Sequence, residues 1–171
     1  MQLRDATSAD FPRLLELNLE SERFLSPLSL ERLEKLHADA AYHRVLESDQ
    51  KIGAFLLAFR EGCSYDSPNY RWFATTYDRF LYIDRVVVSG DQQGKGLGKL
   101  LYTDLFAFAG RTGAFRVCCE FDVEPPNEPS RLFHQRFGFR EVGTQLVAGG
   151  KKQVSLQVAM LPSQTAIRGE I

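Results

Sequence analysis

The stretch Gln93-Gly94-Lys95-Gly96-Leu97-Gly98 constrains this chain more than any other. An apolar, β-branched run, Leu81-Tyr82-Ile83-Asp84-Arg85-Val86-Val87-Val88, leads into it, and Leu100, Leu101, Leu105 and Phe108 follow at helical spacing. The glycines therefore sit where a strand gives way to a helix. A helix start offers backbone N–H groups with no intrahelical partner and the positive end of the helix dipole. Glycine removes the side chains that would keep a ligand away from those groups. Together these make an anion site, most naturally for phosphate. Two familiar glycine loops fail on counting. A P-loop needs G-x-x-x-x-G-K-[ST], but Gly90 and Gly94 have three residues between them and Lys95 precedes Gly96. A dinucleotide fingerprint needs G-x-G-x-x-G, and Lys99 stands at its third glycine.

The chain has 171 residues, enough for one domain with a real core. Its net charge of −1 gives no bulk electrostatic case for nucleic acid or a membrane surface, and no apolar run approaches a transmembrane span. The first residues carry no signal-peptide apolar region. Three cysteines, two of them the adjacent Cys118 and Cys119, do not make a disulfide framework; on a strand those two face opposite ways. A cytoplasmic protein with reduced thiols is expected. His37, His43 and His134 make no metal spacing with the cysteines.

Taken in order, residues 2–6 alternate as a strand. Ser8 suits an N-cap, and Phe11, Leu14, Leu15, Leu17 and Leu19 give a helical apolar face. A second helix is expected from about Ser29 to Ala40. Residues 42–47 and 51–59 read as strands joined by Ser48-Asp49-Gln50 in an antiparallel hairpin. Residues 60–79 read as a long irregular loop with Tyr65, Tyr70, Trp72, Phe73 and Tyr77, either a lid or a loop packed back on the sheet. A strand over 81–88, a helix from Gly94 to about Arg111 and a central strand over 115–122 follow. A short helix over 130–136 and strands over 141–147 and 152–160 complete an order β-α-α-β-β-β-α-β-α-β-β. This is an α/β (α+β) domain over residues 1–161 around a single mixed, mostly antiparallel sheet, with a frayed tail over 162–171.

Gln93, Gly96 and Gly98 meet the pattern [QR]-x-x-G-x-[GA], which resembles the acyl-CoA pyrophosphate loop of the GNAT (Gcn5-related) N-acetyltransferases. Asn127, Ser130, Phe133, Gly138 and Phe139 also fall into register with that family's N-x-x-[AS]-x-x-[FL]-Y-x-x-x-G-F segment. The resemblance covers about Tyr42 to Met160. It implies that Val86, Val87 and Val88 bulge away from the next strand and bond the pantetheine arm. It further implies that the N–H groups of Gln93, Gly94, Lys95, Gly96, Leu97, Gly98 and Lys99 hold the pyrophosphate, with Asn127 and Ser130 on the far side. The implied activity is acetyl-CoA-dependent transfer of an acetyl group to a primary amine of a small molecule. The alternatives are a peptide or protein amine, or an acyl-CoA-binding module without turnover.

Acyl transfer needs a neutral amine, an oxyanion stabiliser and a proton for the leaving thiolate. An in-strand N–H near Val86 or Val87 suits the oxyanion. Asp84 is the first candidate for the base, with Glu120 and Asp122 as rivals; the alternative for Asp84 is a strand carboxylate that is solvated or salt-bridged, with Arg85 or Arg79 as partner. His134 stands where the family usually has tyrosine, so it is the acid for the thiolate, a hydrogen-bond partner of the CoA sulfur without acid work, or a helix histidine facing solvent. Glu120, Asp122, Glu124 and Glu128 would favour a cationic acceptor. Exposed edge strands near the carboxyl end allow a homodimer.

Overall fold

The computed structural model describes residues 1–124 and 126–162; the tail expected to fray lies, past Pro162, outside the described residues. The elements are β1 (Gln2–Asp5), α1 (Phe11–Glu20), α2 (Leu30–Asp39), β2 (Tyr42–Ser48), β3 (Lys51–Arg60), α3 (Pro68–Thr76), β4 (Phe80–Val88), α4 (Leu97–Arg111), β5 (Arg116–Glu124), α5 (Glu128–Arg136), β6 (Arg140–Val147) and β7 (Lys152–Met160). The strands form a seven-stranded sheet in the order β1-β2-β3-β4-β5-β7-β6. Only β4 and β5 run parallel.

Local chemistry explains most boundaries. Ser48 pairs with Lys51, and Asp49 and Gln50 between them both have positive φ, the left-handed pair that a two-residue hairpin turn requires. Ser29 caps α2 by accepting from the Arg32 N–H. At the first helix the cap moves: Thr7 precedes a short 3-10 turn, Ser8–Asp10, and the α-helix begins at Phe11 with Pro12 in its first turn. Asp10 is held there by Arg4 at 2.8 Å, which keeps its carboxyl down at about 2.

The segment expected to be an irregular loop contains a further helix, α3. Ser67 accepts from the Tyr70 N–H and Pro68 occupies the first turn. Its aromatics are neither a free lid nor a surface loop. Tyr70 and Phe73 are buried against Phe59, Phe80, Tyr82 and Leu156. The helices thus divide between two faces. On one, α4 packs Leu97, Leu101, Tyr102 and Leu105 onto Leu56, Leu81, Ile83 and Cys119. On the other, α1 and α2 cover Val45, Phe55 and Val87, and α3 covers the continuation. Strand β3 is buried on both faces, hence its unbroken apolar run. Cys118 and Cys119 fall into the clusters on opposite faces, as adjacent strand residues should.

Candidate active site

The sheet opens between β4 and β5. Their ladder consists of Phe80↔Arg116, Leu81↔Val117 and Tyr82↔Cys118, and stops there. Past it lies a cavity of about 980 Å³, lined on one side by Ile83 to Val88 and on the other by Cys119 to Asp122. The bulge expected over Val86–Val88 falls instead at Asp84. Leu57 pairs with Arg85 and Ala58 with Ile83, so Asp84 is the extra residue. Regular strand neighbours face opposite ways, and a bulge cancels one alternation. That is how Asp84 and Arg85 come to meet on one face.

Asp84 is committed to that meeting. Arg85 Nε donates to Asp84 Oδ2 at 2.6 Å, with the two side chains 4% and 6% exposed. The Tyr65 hydroxyl donates to Asp84 Oδ1. Arg85 Nη1 donates to Asn18 Oδ1 at 2.7 Å, and Asn18 Nδ2 to the Ser26 carbonyl at 3.2 Å. One buried chain of polar groups therefore ties the α1–α2 connection to the segment before α3. Asp84 is ion-paired with Arg85, and both of its carboxylate oxygens are engaged.

Glu120 is different. The Tyr82 hydroxyl donates to its Oε1 at 2.9 Å, while Oε2 is buried with no hydrogen-bond partner. Among the described residues no cation pairs with it. Burial pushes its carboxyl up to about 8; Asn69 and Tyr82 pull the other way, and the negative charges of Asp84 and Asp122 add to the rise. Glu120 lines the cavity, and a carboxyl that titrates near neutrality with one unbonded oxygen is equipped to take a proton. Asp122 is occupied by Lys152 at 3.0 Å, and Glu128 pairs with Arg131 on the surface. The four carboxylates expected to cluster are thus not brought together; Glu124, like Glu128, is exposed.

His134 lines the same cavity but is buried rather than solvent-facing. Its Nδ1 lies 2.7 Å from the Ser130 carbonyl, which can only accept, so Nδ1 carries the proton. Nε2 then accepts from the Tyr102 hydroxyl at 2.8 Å. Burial lowers the imidazole's proton affinity. Both nitrogens are engaged and the ring is neutral, an arrangement that does not offer a proton to a thiolate. Ser130 also places its Oγ 3.2 Å from Nδ1, so it fixes the imidazole.

The glycine stretch reaches the cavity at Gln93 and Gly98. Gly96 caps α4 with φ +86°, Gly94 has φ +76°, and a Cβ at either would meet nothing within 4 Å. These two are needed for backbone conformation, not for room. Gly98 is needed for closeness: a Cβ there would sit 3.4 Å from the Phe133 ring. The first helical bond runs from Leu100 N to Gly96 O, which leaves the N–H groups of Leu97, Gly98 and Lys99 without intrahelical acceptors. Such a donor set fits a pyrophosphate. Val86, Val87, Val88, Gln93, Gly98, Asn127 and Ser130 line the main cavity. Lys95 and Leu97 border a smaller one of about 420 Å³, and Leu97 itself is buried as an anchor of α4. Gly94, Gly96 and Lys99 border neither. Asn127 caps α5 by accepting from the Ser130 N–H at 3.3 Å. Sequence reasoning missed Tyr82 and Tyr102, because a tyrosine in an apolar run reads as core.

A sheet split beside an anion-binding helix start is the architecture of an acyltransferase that grips its donor by a pyrophosphate. Residues 3–139 match the model of the Acetyltransferase (GNAT) family, and the chain belongs to that family. Acetyl-CoA is the family's acyl donor. A curated relative, phosphinothricin N-acetyltransferase of Streptomyces coelicolor, is 35% identical over 79 residues, 46% of this chain and 42% of the relative. The match therefore spans less than half of that relative's length. The ribosomal-protein-S18-alanine N-acetyltransferase of Escherichia coli superposes with TM-score 0.72 at 14% identity, covering 99% of each chain. The acetyltransferase yncA of Salmonella typhimurium, solved with acetyl-CoA, superposes with TM-score 0.73 at 18% identity, covering 97% of this chain and 96% of that one. These superpositions confirm the expected fold. No helix among the described residues is long and apolar enough to cross a membrane.

Proposed function

We propose that this chain transfers the acetyl group of acetyl-CoA directly to a primary amine of a small molecule, with Glu120 as the group that takes the amine's proton. The observation that carries this is the unpartnered, buried Oε2 of Glu120 in the gap between β4 and β5. Acetyl-CoA supplies an activated thioester carbonyl. The helix start from Gln93 to Lys99 binds the pyrophosphate, and the wall of β4 past Asp84 orients the pantetheine arm. A backbone N–H at Val86 or Val87 polarises the carbonyl without any side chain. The amine enters from the face covered by α1, α2 and α3, meets Glu120, and gives up a proton to Oε2, which frees its lone pair for attack.

A small acceptor is supported by what borders the entrance. Arg32 of α2 reaches across to pair with Asp66 before α3 and stacks over the Tyr65 ring at 5.3 Å. Gln145 of β6 donates to Asn69 of α3 at 3.0 Å. These links narrow the acceptor side from two directions. A cationic acceptor is supported by the pairing of Asp84 and Asp122 with their own cations, which leaves Glu120 as the carboxylate with a free oxygen. The test is CoA release and mass spectrometry of products with acetyl-CoA and a panel of small amines against peptides. Acetylation of small amines with little acetylation of peptides is the expected result; the reverse preference would refute the small-molecule assignment.

A further inference from the structure

Tyr82 and Glu120 stand on facing strands where the ladder gives out. Tyr82 is the last β4 residue paired with β5, so its backbone is fixed by hydrogen bonding on both sides of the strand. Its ring is fully buried, with Tyr70, Phe73 and Tyr65 at centroid distances of 5.5, 5.8 and 6.3 Å. The ring therefore cannot swing. Its hydroxyl reaches Glu120 Oε1 at 2.9 Å, Oε2 is buried without a hydrogen-bond partner, and Glu120 is among the residues lining the cavity. We infer that Tyr82 is a positioning residue for Glu120: it clamps one carboxylate oxygen and presents the other to the acceptor amine. This rests on Glu120 being the proton acceptor. The proton moves from the ammonium nitrogen to Oε2, the nitrogen keeps the electron pair of its N–H bond, and nothing is oxidised or reduced.

The surroundings give Tyr82 leverage. The titratable and polar groups that interact with Glu120 are Asp84 of β4, Cys118, Cys119 and Asp122 of β5, Asn69 of α3, Tyr65 before α3, and Tyr102 of α4. The nearby cations are spent, Arg85 on Asp84 and Lys152 on Asp122. Hydrogen-bond stabilisation of the ionised carboxylate is left to the neutral Tyr82 hydroxyl, with the Asn69 amide nearby adding to it. Loss of the Tyr82 hydroxyl must then raise the carboxyl's proton affinity, since a hydrogen bond to the charged form favours that form.

The experiment compares wild type, Tyr82→Phe and Glu120→Gln. It follows the pH dependence of kcat/KM for the amine, and in parallel the titration of Glu120 by 13C NMR of glutamate-labelled protein, with the resonance assigned by its absence in Glu120→Gln. In Tyr82→Phe the rising limb and the NMR midpoint should both move up by about 1–2 pH units, with the rate recovering at high pH. 3-Fluorotyrosine at position 82, a stronger donor that keeps the fold, should move both down. Unmoved limb and midpoint in both variants would overturn the role of Tyr82. Undiminished activity of Glu120→Gln across the pH range would instead overturn Glu120 as proton acceptor, and the inference with it.

Discussion

Removing the Arg85 guanidinium while keeping its volume, Arg85→Met, should destabilise the protein far more than removing both members of its ion pair. Arg85 and Asp84 are 4% and 6% exposed and bonded at 2.6 Å. Breaking a buried pair from one side strands the other charge, at a cost of about 3–5 kcal/mol, whereas replacing both charges is often nearly neutral. Here the loss includes the bond from Arg85 Nη1 to Asn18 at 2.7 Å, which loosens the tie to Ser26. For a chain of this length each kcal/mol moves the melting temperature by roughly 2–4 °C, so Arg85→Met should melt roughly 6–20 °C lower. The double variant Asp84→Asn with Arg85→Met should recover at least about half of that. Urea denaturation of wild type, both single variants and the double variant closes the cycle. A cost below about 1 kcal/mol for Arg85→Met, or additivity within about 0.5 kcal/mol, would refute the commitment of Asp84 and return it as a free base.

Three further outcomes follow from single groups. Gly96→Ala meets no steric obstacle but must hold φ near +86°, so ligand-free protein should lose about 1–2 kcal/mol by thermal denaturation; an unchanged melting temperature would contradict the left-handed cap. Glu120 keeps its proton in the folded chain up to about 8, against 4.5 for an ordinary glutamate. Its contribution is therefore present at low pH and is lost as pH rises from about 4.5 through 8, so Glu120→Gln should be more stable than wild type at pH 8.5 by roughly 2–4 kcal/mol, and denaturation at pH 4 and 8.5 checks the sign. His43 runs the opposite way. Burial, then the neighbouring His37 and the Arg85 charge, lower its imidazole to about 4, with Asp10 opposing. Its contribution is complete above about 6.5 and is lost as pH falls through about 4. His43→Phe should flatten the loss of stability between pH 6.5 and 4; an unaltered acid slope would count against a buried neutral imidazole.

The glycine stretch and the Asn127–Phe139 segment were legible because backbone conformation dictates their residues. Gly94 and Gly96 are there for positive φ, and Gly98 for the approach of Phe133. The hairpin turn at Asp49-Gln50 was legible for a similar reason. Helix α3 was not, although Ser67-Pro68 is a helix start: the polar cluster of Gly62, Ser67, Pro68 and Asn69 outweighed a nine-residue helix whose stability comes from packing on Phe59 and Phe80. The bulge at Asp84 left one trace, two adjacent charged residues inside an apolar strand. Burying both on one face requires an extra residue, but the pattern alone does not say where it falls. That Asp84 is ion-paired while Glu120 keeps an unbonded oxygen was out of reach, since sequence does not show which carboxylate finds a cation. Nor could His134 be assigned, because its state depends on Tyr102, which reads as core, and on the Ser130 carbonyl, which leaves no mark in sequence.

The most direct test of the central claim is amine-dependent CoA release from acetyl-CoA, followed as free thiol from pH 6 to pH 10 in wild type and Glu120→Gln. Thermal stabilisation by acetyl-CoA, which must follow if the folded state alone binds it, should be equal in the two proteins. Wild type should release CoA only with a suitable amine and show a limb near the Glu120 midpoint of about 8, and Glu120→Gln should lose that limb and at least about 100-fold of the rate, the low end for a positioned base. Binding of acetyl-CoA with no amine-dependent release by wild type at any pH would contradict catalysis and leave an acyl-CoA-binding module.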